Sequence, residues 1–326
     1  MNVVFTVCSN NYLAQAKILQ NSLKKHNQDC YFLIFLCDEK RPEIDYAALA
    51  DEVIAIAEIE PQIMHLAEKY NIIELNTCIK PRVIEYLFEE RKIEKVIYLD
   101  PDIKLFDSIA YLYDEVDKYS ILLTPHIYSP VPLDDKKPGE TTFLNFGLYN
   151  LGFLALKNDE EAKKMVSWWK NHTYKQGYID TDKGIFVDQL PINFVPLFFR
   201  HVNILNDPGL NMAPWNLHER FLSKQDDAYT VNQDKKLKFF HFSSFKVDSN
   251  ELPLMHYDRF KLIDRPDLND IYKVYNEEMK KENHAFYSGF KSIYSGIHEL
   301  HKTKLKREKR LNKIFLVKLF NKPAQK

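Results

Sequence analysis

The stretch Lys95-Val-Ile-Tyr-Leu-Asp-Pro-Asp-Ile-Lys-Leu-Phe106 is an apolar run that delivers two carboxylates, Asp100 and Asp102. Side chains at i and i+2 of a strand point to the same side, so these carboxylates should converge and repel each other unless a cation lies between them. A divalent metal ion would supply that cation. The alternative interpretation is a strand end followed by an Asx-type turn, with Pro101 fixing the bend.

The four residues before Asp100 indicate the fold class. Residues 96–99 are all apolar or aromatic, which is typical of a strand buried on both faces in a parallel sheet. Similar runs at residues 2–7 and 31–37 flank a helical pattern at residues 13–26. Alternation of strands and helices predicts an α/β fold with a doubly wound sheet. Ligands of such sheets bind outside the carboxyl ends of the strands.

The same alternation continues along the chain. Further strands are expected at residues 52–57, 119–124, 146–156 and 237–245, and further helices at residues 77–90 and 159–171. Loops are expected at residues 125–142 and 201–236, one or two helical turns at residues 185–194, and helical structure from about residue 267.

Composition narrows the class of protein. The 326 residues are 45% hydrophobic and include only eight glycines, and the sequence contains neither G-x-G-x-x-G nor G-x-x-x-x-G-K-[ST]. A bound phosphate would therefore be held by a metal ion or by side chains.

The chain begins with a strand-like run and has no apolar segment long enough to cross a bilayer, so we expect a cytoplasmic protein. Four scattered cysteines predict free buried thiols.

Charge is distributed unevenly. The net charge is −1, but residues 302–326 carry ten Lys or Arg and one acid. This concentration indicates a local basic segment rather than a nucleic-acid-binding body. Residues 302–320 place apolar side chains at helical spacing amid cations, which is typical of a helix lying on an anionic membrane surface. A helix packed on the body and a dimer contact are the alternatives.

Six short motifs follow one another between residues 2 and 246. They are Ser9-Asn10-Asn11-Tyr12, Lys80 at a helix start, Asp100-Pro101-Asp102, Asn150-x-Gly152, Asp188-Gln189, and His241 followed by Lys246. Their order and spacing resemble the retaining GT-A glycosyltransferases of the glycogenin and bacterial lipooligosaccharide galactosyltransferase kind, glycosyltransferase family 8. The resemblance implies a GT-A fold with a Rossmann-like, doubly wound mixed sheet. The catalytic domain is expected over residues 1–265, with donor and acceptor halves meeting near residue 124. Residues after 246 lie outside the resemblance, and 266–326 are expected to form a helical basic extension from their own pattern.

The resemblance implies a metal-dependent donor site. Asp100, Asp102 and His241 would bind one divalent cation, Mn²⁺ or alternatively Mg²⁺, which also binds the diphosphate of a UDP-sugar. Two carboxylates and an imidazole suit such an ion. Taken alone, His241 would be interpreted as a core histidine, because Phe240 and Phe242 flank it.

The resemblance also assigns roles around the donor sugar. Asp188 and Gln189 would be the catalytic residues, the aspartate holding sugar hydroxyls and the glutamine lying near the anomeric carbon. Asn150, with Gly152, would contact the sugar, although a competing Asn-x-Gly register begins at Asn145.

The nucleotide would be bound by the remaining motifs. Lys246 would contact the diphosphate, although the Pro-Trp that follows the family's lysine is absent after it. Lys80 would contact a phosphate or the sugar. The turn Ser9-Asn10-Asn11-Tyr12 would bind uracil. Serine and asparagine replace the acidic residues found there in galactosyltransferase-like members, but a hydroxyl and an amide can still pair with a uracil edge and Tyr12 can stack on it.

These roles together imply transfer of a hexose from a UDP-sugar to an acceptor hydroxyl on a glycan or lipid-linked saccharide, with retention at the anomeric carbon. The implied partners are the donor, that acceptor and, through residues 302–320, the inner face of the membrane. An inverting enzyme that uses Asp134, Asp135 or Asp180 as its general base is one alternative. A non-catalytic nucleotide-sugar-binding protein is another.

Overall fold

A computed structural model describes the backbone of residues 2–226, 228–249 and 257–320, and side chains as far as Lys309. Part of the basic segment predicted at residues 302–326 therefore lies outside the described side chains. The strands are β1 Asn2–Cys8, β2 Cys30–Leu36, β3 Glu52–Ala55, β4 Lys95–Leu99, β5 Ile103–Leu105, β6 Ile121–Pro125, β7 Tyr149–Lys157, β8 Ile179–Asp180, β9 Ile185–Phe186, β10 Val202–Ile204, β11 Leu222–Gln225, β12 Ala228–Val231, β13 Lys235–Lys236 and β14 Phe239–His241.

The helices lie between these strands and at the carboxyl end of the chain. They are α1 Leu13–His26, α2 Ile63–Lys69, α3 Ile72–Cys78, α4 Lys80–Glu89, α5 Tyr111–Lys118, α6 Glu140–Phe146, α7 Glu160–Gln176, α8 Val195–Phe198, α9 Asn269–Lys281, α10 His284–Tyr287 and α11 Ile293–Phe320. Among the described residues, no helix is both long enough and apolar enough to span a membrane.

The central sheet has the strand order β10-β6-β7-β4-β1-β2-β3 in the described part of the chain. β1 is parallel to both β2 and β4, whereas β7 runs antiparallel to β4 and β6. The sheet is therefore mixed, with most neighbours parallel. The predicted α/β class with a mixed central sheet and a helical carboxyl-terminal region is confirmed.

Hydrophobic cores cover both faces of this sheet. Val3, Phe5 and Val7 of β1 point into a core shared with α2, α3, α4 and α7. Val4 and Cys8 point into a core shared with α1 and α5. Because successive strand residues face opposite sides, an uninterrupted apolar strand requires helices on both faces. This packing is the doubly wound arrangement that the apolar runs predict.

A short second sheet decides where the functional residues lie. β5 begins four residues after the end of β4 and pairs antiparallel with β14, so that Ile103 lies opposite His241. The pairing continues past the strand, because Phe242 N donates to Asp102 O at 2.9 Å. A residue far along the chain is thus fixed beside the end of β4.

Several elements differ from the sequence prediction. The helix expected at residues 77–90 is two helices, α3 and α4, which separate around Ile79. Pro81 lies in the first turn of α4 and has no N–H with which to continue a single helix. The loop expected at residues 125–142 ends at Gly139, where α6 begins, so the strand expected from residue 146 starts only at Tyr149.

The second half of the chain contains more short strands than expected. Residues 201–236, expected to form a loop, include β10 to β13. Residues 185–194 contain β9 and a 3-10 helix, Leu190–Phe194, with Asp188 and Gln189 just before that helix. The strand expected at 237–245 is limited to β14, because the chain turns after His241 with Ser244 at φ 58°.

The carboxyl-terminal helices pack on the domain. Tyr275 of α9 and Tyr294 of α11 are buried. His298 Nδ1 of α11 lies 3.2 Å from the carbonyl oxygen of Glu68 in α2. The first turns of α11 are therefore held against the domain, whereas the side chains of residues 302–309 are exposed.

Candidate metal centre

The fold brings Asp100, Asp102 and His241 together. Asp100 follows β4, Asp102 precedes β5 and His241 ends β14. One ligand atom from each lies within 4.8 Å of the others. His241 Nε2 is 3.1 Å from Asp102 Oδ1 and 3.7 Å from Asp100 Oδ2. Two carboxylates and an imidazole at these separations form a donor set that fits a divalent metal ion.

The two carboxylates of this cluster shift the pKa of His241. Burial by itself lowers the pKa of His241, but Asp102 and Asp100 outweigh burial and the net shift is upward. The carboxylates therefore attract positive charge to the point where a metal ion would lie. Among the described residues, this is the one group of three His, Cys, Asp or Glu side chains with metal-ligand spacing.

Gly152 provides the space for the His241 imidazole. A Cβ atom at Gly152 would lie 2.5 Å from His241 Cε1, which is far inside van der Waals contact. Gly152 O also accepts a hydrogen bond from Asp100 N at 2.8 Å. On another side the Trp215 ring packs edge-on against the imidazole, with centroids 5.1 Å apart. The structure thus gives Gly152 a role in positioning two predicted metal ligands.

Lys80 joins the metal cluster to Asp188. Its Nζ lies 3.2 Å from Asp188 Oδ2 and 3.5 Å from Asp100 Oδ1, and it donates to Leu151 O at 3.1 Å. Burial raises the pKa of Asp188 to about 6, against the opposing effect of Lys80. Burial lowers the pKa of Lys80, but Asp100 and Asp188 outweigh it and raise the pKa. The buried lysine therefore keeps its positive charge between the two carboxyl groups.

Gln189 and Asn150 are bonded within the protein. Gln189 Oε1 accepts from Leu151 N at 3.0 Å and its Nε2 donates to Phe146 O at 2.7 Å. Asn150 Oδ1 accepts from Gly152 N at 3.0 Å, and its Nδ2 lies 3.2 Å from His126 Nε2. Both side chains are thus bonded to protein partners, and neither lines the adjoining cavity.

That cavity has a volume of about 390 Å³. Among the described residues, its lining comes from the end of β1, the following turn, α3 and the end of β4, and comprises Val7, Cys8, Ser9, Asn11, Tyr12, Ile72, Ile73, Asn76, Thr77, Lys80, Tyr98, Asp100, Pro101 and Asp102. It therefore runs from the turn 9–12 to two of the candidate metal ligands.

The turn 9–12 divides between the cavity and the core. Ser9, Asn11 and Tyr12 line the cavity. Asn10 is fully buried, donates to Glu39 O at 2.9 Å and accepts from the Tyr46 hydroxyl at 2.6 Å. Asn10 therefore ties the turn to the segment after β2 instead of facing the cavity.

Lys246 is not brought to the cavity. It is exposed in the turn that follows β14, where its carbonyl oxygen accepts from Ser249 N at 3.3 Å. The acids weighed as general bases are also outside the cavity lining. Asp134 forms two 2.9 Å hydrogen bonds with Arg259, and Asp180 pairs with Lys183 at 2.5 Å.

Sequence reasoning missed two groups of residues at this site. Ile72, Ile73 and Asn76 of α3 form one cavity wall, although the helix was expected to begin only at residue 77. Asn211, in a segment expected to be a loop, contacts His241. An amphipathic pattern that begins at Ile72 is the signal that could have found the first group. The sequence offers none for Asn211, since asparagines are ordinary loop residues.

No family model matches this chain. It is similar to two uncharacterized proteins of Bacillus subtilis (strain 168). YfnF is 24% identical over 279 residues, which are 84% of this chain and 90% of the relative. YfnD is 24% identical over 302 residues, which are 89% of this chain and 93% of the relative.

Similar solved structures are glycosyltransferases. A galactosyltransferase, LgtC, in complex with donor and acceptor sugar analogs, has a TM-score of 0.42 and 19% identity, over 66% of this chain and 76% of that one. Mouse xyloside xylosyltransferase 1 has a TM-score of 0.45 and 15% identity, over 74% and 96%. The glycosyltransferase GlyE of Streptococcus pneumoniae TIGR4 has a TM-score of 0.40 and 17% identity, over 65% and 47%.

Proposed function

We propose that this protein is a metal-dependent GT-A glycosyltransferase that transfers a hexose from a UDP-sugar to an acceptor hydroxyl, with retention at the anomeric carbon. The observation that carries the proposal is the convergence of Asp100, Asp102 and His241 at one end of the 390 Å³ cavity. The acceptor proposed is a glycan or a lipid-linked saccharide, as in the synthesis of a surface polysaccharide.

The cavity has the size and lining expected for a nucleotide. Ligand pockets of about 300–1,000 Å³ are typical for small molecules, and 390 Å³ lies within this range. Tyr12 is 41% exposed beside the cavity, so its ring is available to stack on a base. Ser9 and Asn11 offer a hydroxyl and an amide to the base edge. These groups support uracil as the base.

A divalent ion, Mn²⁺ or Mg²⁺, would be held by Asp100, Asp102 and His241, where it would supply a Lewis acid that neutralises charge on the diphosphate. The protein itself contributes preorganised charge next to that point. Lys80 is buried and fixed between Asp100 and Asp188, and such fixed charges contribute strongly to stabilising a transition state. We assign the sugar-facing roles to Asp188, whose Oδ2 lies 3.2 Å from Lys80 Nζ, and to the adjacent Gln189, which would exchange its bonds to Leu151 N and Phe146 O for bonds to the sugar.

The test is a donor panel. Purified protein is incubated with Mn²⁺ and UDP-glucose, UDP-galactose or UDP-N-acetylglucosamine, and UDP release is measured with and without EDTA. We expect release with one donor that EDTA abolishes and Mn²⁺ restores. The anomeric configuration of the product, read by NMR, then tests retention. Undiminished release in EDTA would contradict the metal assignment, and no release with any UDP-sugar would contradict the donor assignment.

Matched variants locate the activity at this site. His241→Gln should abolish UDP release, whereas His172→Gln, at a half-buried histidine of α7, should leave it unchanged. Asp135→Asn, at an exposed acid weighed as a general base, should also retain activity. Loss of activity in Asp135→Asn with the metal ligands intact would favour an inverting mechanism instead.

We further propose that the basic helix contacts the inner face of a membrane. Residues 302–309 are exposed and include five Lys or Arg, and each cation near an anionic surface contributes about 1 kcal/mol. Changing these five residues to Gln should lower the fraction of protein that sediments with phosphatidylglycerol vesicles. The same change should not alter the fraction that sediments with phosphatidylcholine vesicles. Equal sedimentation of both proteins with anionic vesicles would refute membrane contact through this helix.

A further inference from the structure

We propose that Asn211 is a positioning residue that fixes the tautomer of His241, so that Nδ1 keeps its proton and Nε2 presents a lone pair to the metal ion. The inference rests on the proposed metal centre and concerns a residue outside its ligand set. It follows from a chain of hydrogen bonds in which each partner determines the orientation of the next.

The first bond fixes Asn150. Gly152 N lies 3.0 Å from Asn150 Oδ1. A backbone N–H can only donate, so the atom that faces it must be the amide oxygen. The carboxamide of Asn150 therefore has a single orientation, which a backbone atom sets.

The second bond fixes Asn211. Its Nδ2 lies 2.9 Å from the same Asn150 oxygen and 3.2 Å from Thr124 Oγ1. Because an amide oxygen only accepts, the atom of Asn211 that faces Asn150 must be the NH₂ group. Asn211 Oδ1 is consequently turned toward the other side, where His241 lies.

The third bond fixes His241. Asn211 Oδ1 lies 3.3 Å from His241 Nδ1. Since this oxygen cannot donate, Nδ1 must carry a hydrogen. Nε2 is then the nitrogen left for the metal ion, and it lies 3.1 Å from Asp102 Oδ1, an acceptor that favours a proton on Nε2 only in the absence of a metal ion. Metal-binding histidines generally donate their other ring N–H to a fixed acceptor, which sets the tautomer and orients the ring.

The Asn211 side chain has little freedom to leave this arrangement. The residue is fully buried, and its carbonyl oxygen accepts from Asn216 Nδ2 at 3.0 Å. Its backbone has φ 54°, in the left-handed region that asparagine tolerates better than most residues. Reversal of the carboxamide would place two oxygens against each other at Asn150 and an NH₂ group against Nδ1–H.

The tautomer can be measured with a diamagnetic ion in place of Mn²⁺. Long-range ¹H–¹⁵N spectra of Zn²⁺-bound protein labelled with ¹⁵N-histidine distinguish the two ring nitrogens. The His241 signals are assigned by their disappearance in His241→Gln. We expect a proton on Nδ1 and the metal ion on Nε2. A metal ion bound to Nδ1 would overturn the inference.

Metal affinity provides the second readout. Free Mn²⁺ is measured by EPR during titration of the protein with Mn²⁺ alone. Asn211→Ala should weaken binding by about 10- to 100-fold, as loss of an outer-shell partner does elsewhere. Asn211→Asp keeps an oxygen against Nδ1 but places a second oxygen against Asn150 Oδ1, so it should recover part of the affinity. Asn27→Ala removes another buried asparagine, which accepts from Ser108 Oγ and Ile109 N, and should bind Mn²⁺ as the wild type does.

The outcomes separate this inference from the proposed function. Mn²⁺ affinity in Asn211→Ala equal to the wild type, or affinity in Asn211→Asp as weak as in Asn211→Ala, would overturn the positioning role. A wild-type protein that binds no Mn²⁺ would overturn the metal centre itself. A protein that binds Zn²⁺ through His241 Nδ1 would overturn the positioning role and leave the metal centre standing.

Discussion

Two buried histidines lie on either side of Asn150 and Asn211, and their surroundings are opposite. His241 faces two carboxylates, which raise its pKa although burial lowers it. His126 faces the amide of Asn150 and the rings of Phe143 and Trp215, and burial lowers its pKa to about 3. We call Asp100, Asp102 and His241 the open cluster, and His126, Asn150, Asn211 and Asn216 the closed network.

The open cluster and the closed network therefore have different roles at this site. In the open cluster, like charges lie close together and would be stabilised by an added cation. In the closed network, amide groups are paired with one another and with the backbone, so it behaves as a rigid support. The closed network should respond to substitution by a loss of stability, and the open cluster by a loss of function.

The largest expected effect is on the open cluster. Asp102→Asn should lower UDP release at least about 1,000-fold, since one ligand charge and its fixed geometry are lost. Measured without metal at pH 8, its melting temperature should equal or exceed that of the wild type, because repulsion of Asp100 is relieved. A variant that is both active and less stable would contradict the assignment of Asp102 to an open cluster.

The pH dependence of stability tests the closed network. His126 is neutral when folded, with a pKa of about 3, against an ordinary value of 6.5. The unfolded chain therefore binds a proton first, so His126 stabilises the fold above pH 6.5 and this contribution is lost as pH falls toward 3. This contribution of His126 to the free energy of unfolding is at most about 5 kcal/mol. Urea unfolding between pH 7 and pH 4 should show a shallower decline for His126→Gln than for the wild type.

The junction between the two regions is tested at Gly152. Gly152→Ala would push the new methyl group against the His241 ring, and overpacking of this kind costs about 1–3 kcal/mol. Mn²⁺ affinity should fall together with the free energy of unfolding. Gly296→Ala is the matched control, because no atom lies within 4 Å of a Cβ there, and it should stabilise α11 by up to about 1 kcal/mol.

Much of the fold could be predicted from the sequence, for a physical reason. Residues 96–99 and 3–5 are apolar on both faces, and only a sheet covered by helices on both sides buries such strands. Asp100 and Asp102 converge as predicted, but through the turn at Pro101 between β4 and β5, the alternative interpretation, and not as alternate residues of one strand. Both predictions depend on local pattern alone.

The remainder depends on contacts that local pattern does not contain. His241 reaches the cluster through the pairing of β14 with β5, and the motif resemblance, not the strand pattern, pointed to it. In the closed network, Asn211 and Asn216 come from a segment expected to be an ordinary loop, and Asn150 was expected to contact the sugar. Asn10 and Lys246 show the converse. Both match expected motif positions, but the structure buries Asn10 in the core and leaves Lys246 exposed outside the cavity lining.

The most direct test of the central claim is a crystal of the protein soaked with Mn²⁺ and UDP, with data collected at the manganese absorption edge. The account predicts one anomalous peak per chain, in contact with Asp100, Asp102 and His241 Nε2, with the diphosphate beside it and the uracil near Tyr12. An anomalous peak elsewhere, or UDP bound in the cavity with no manganese at these three residues, would contradict it.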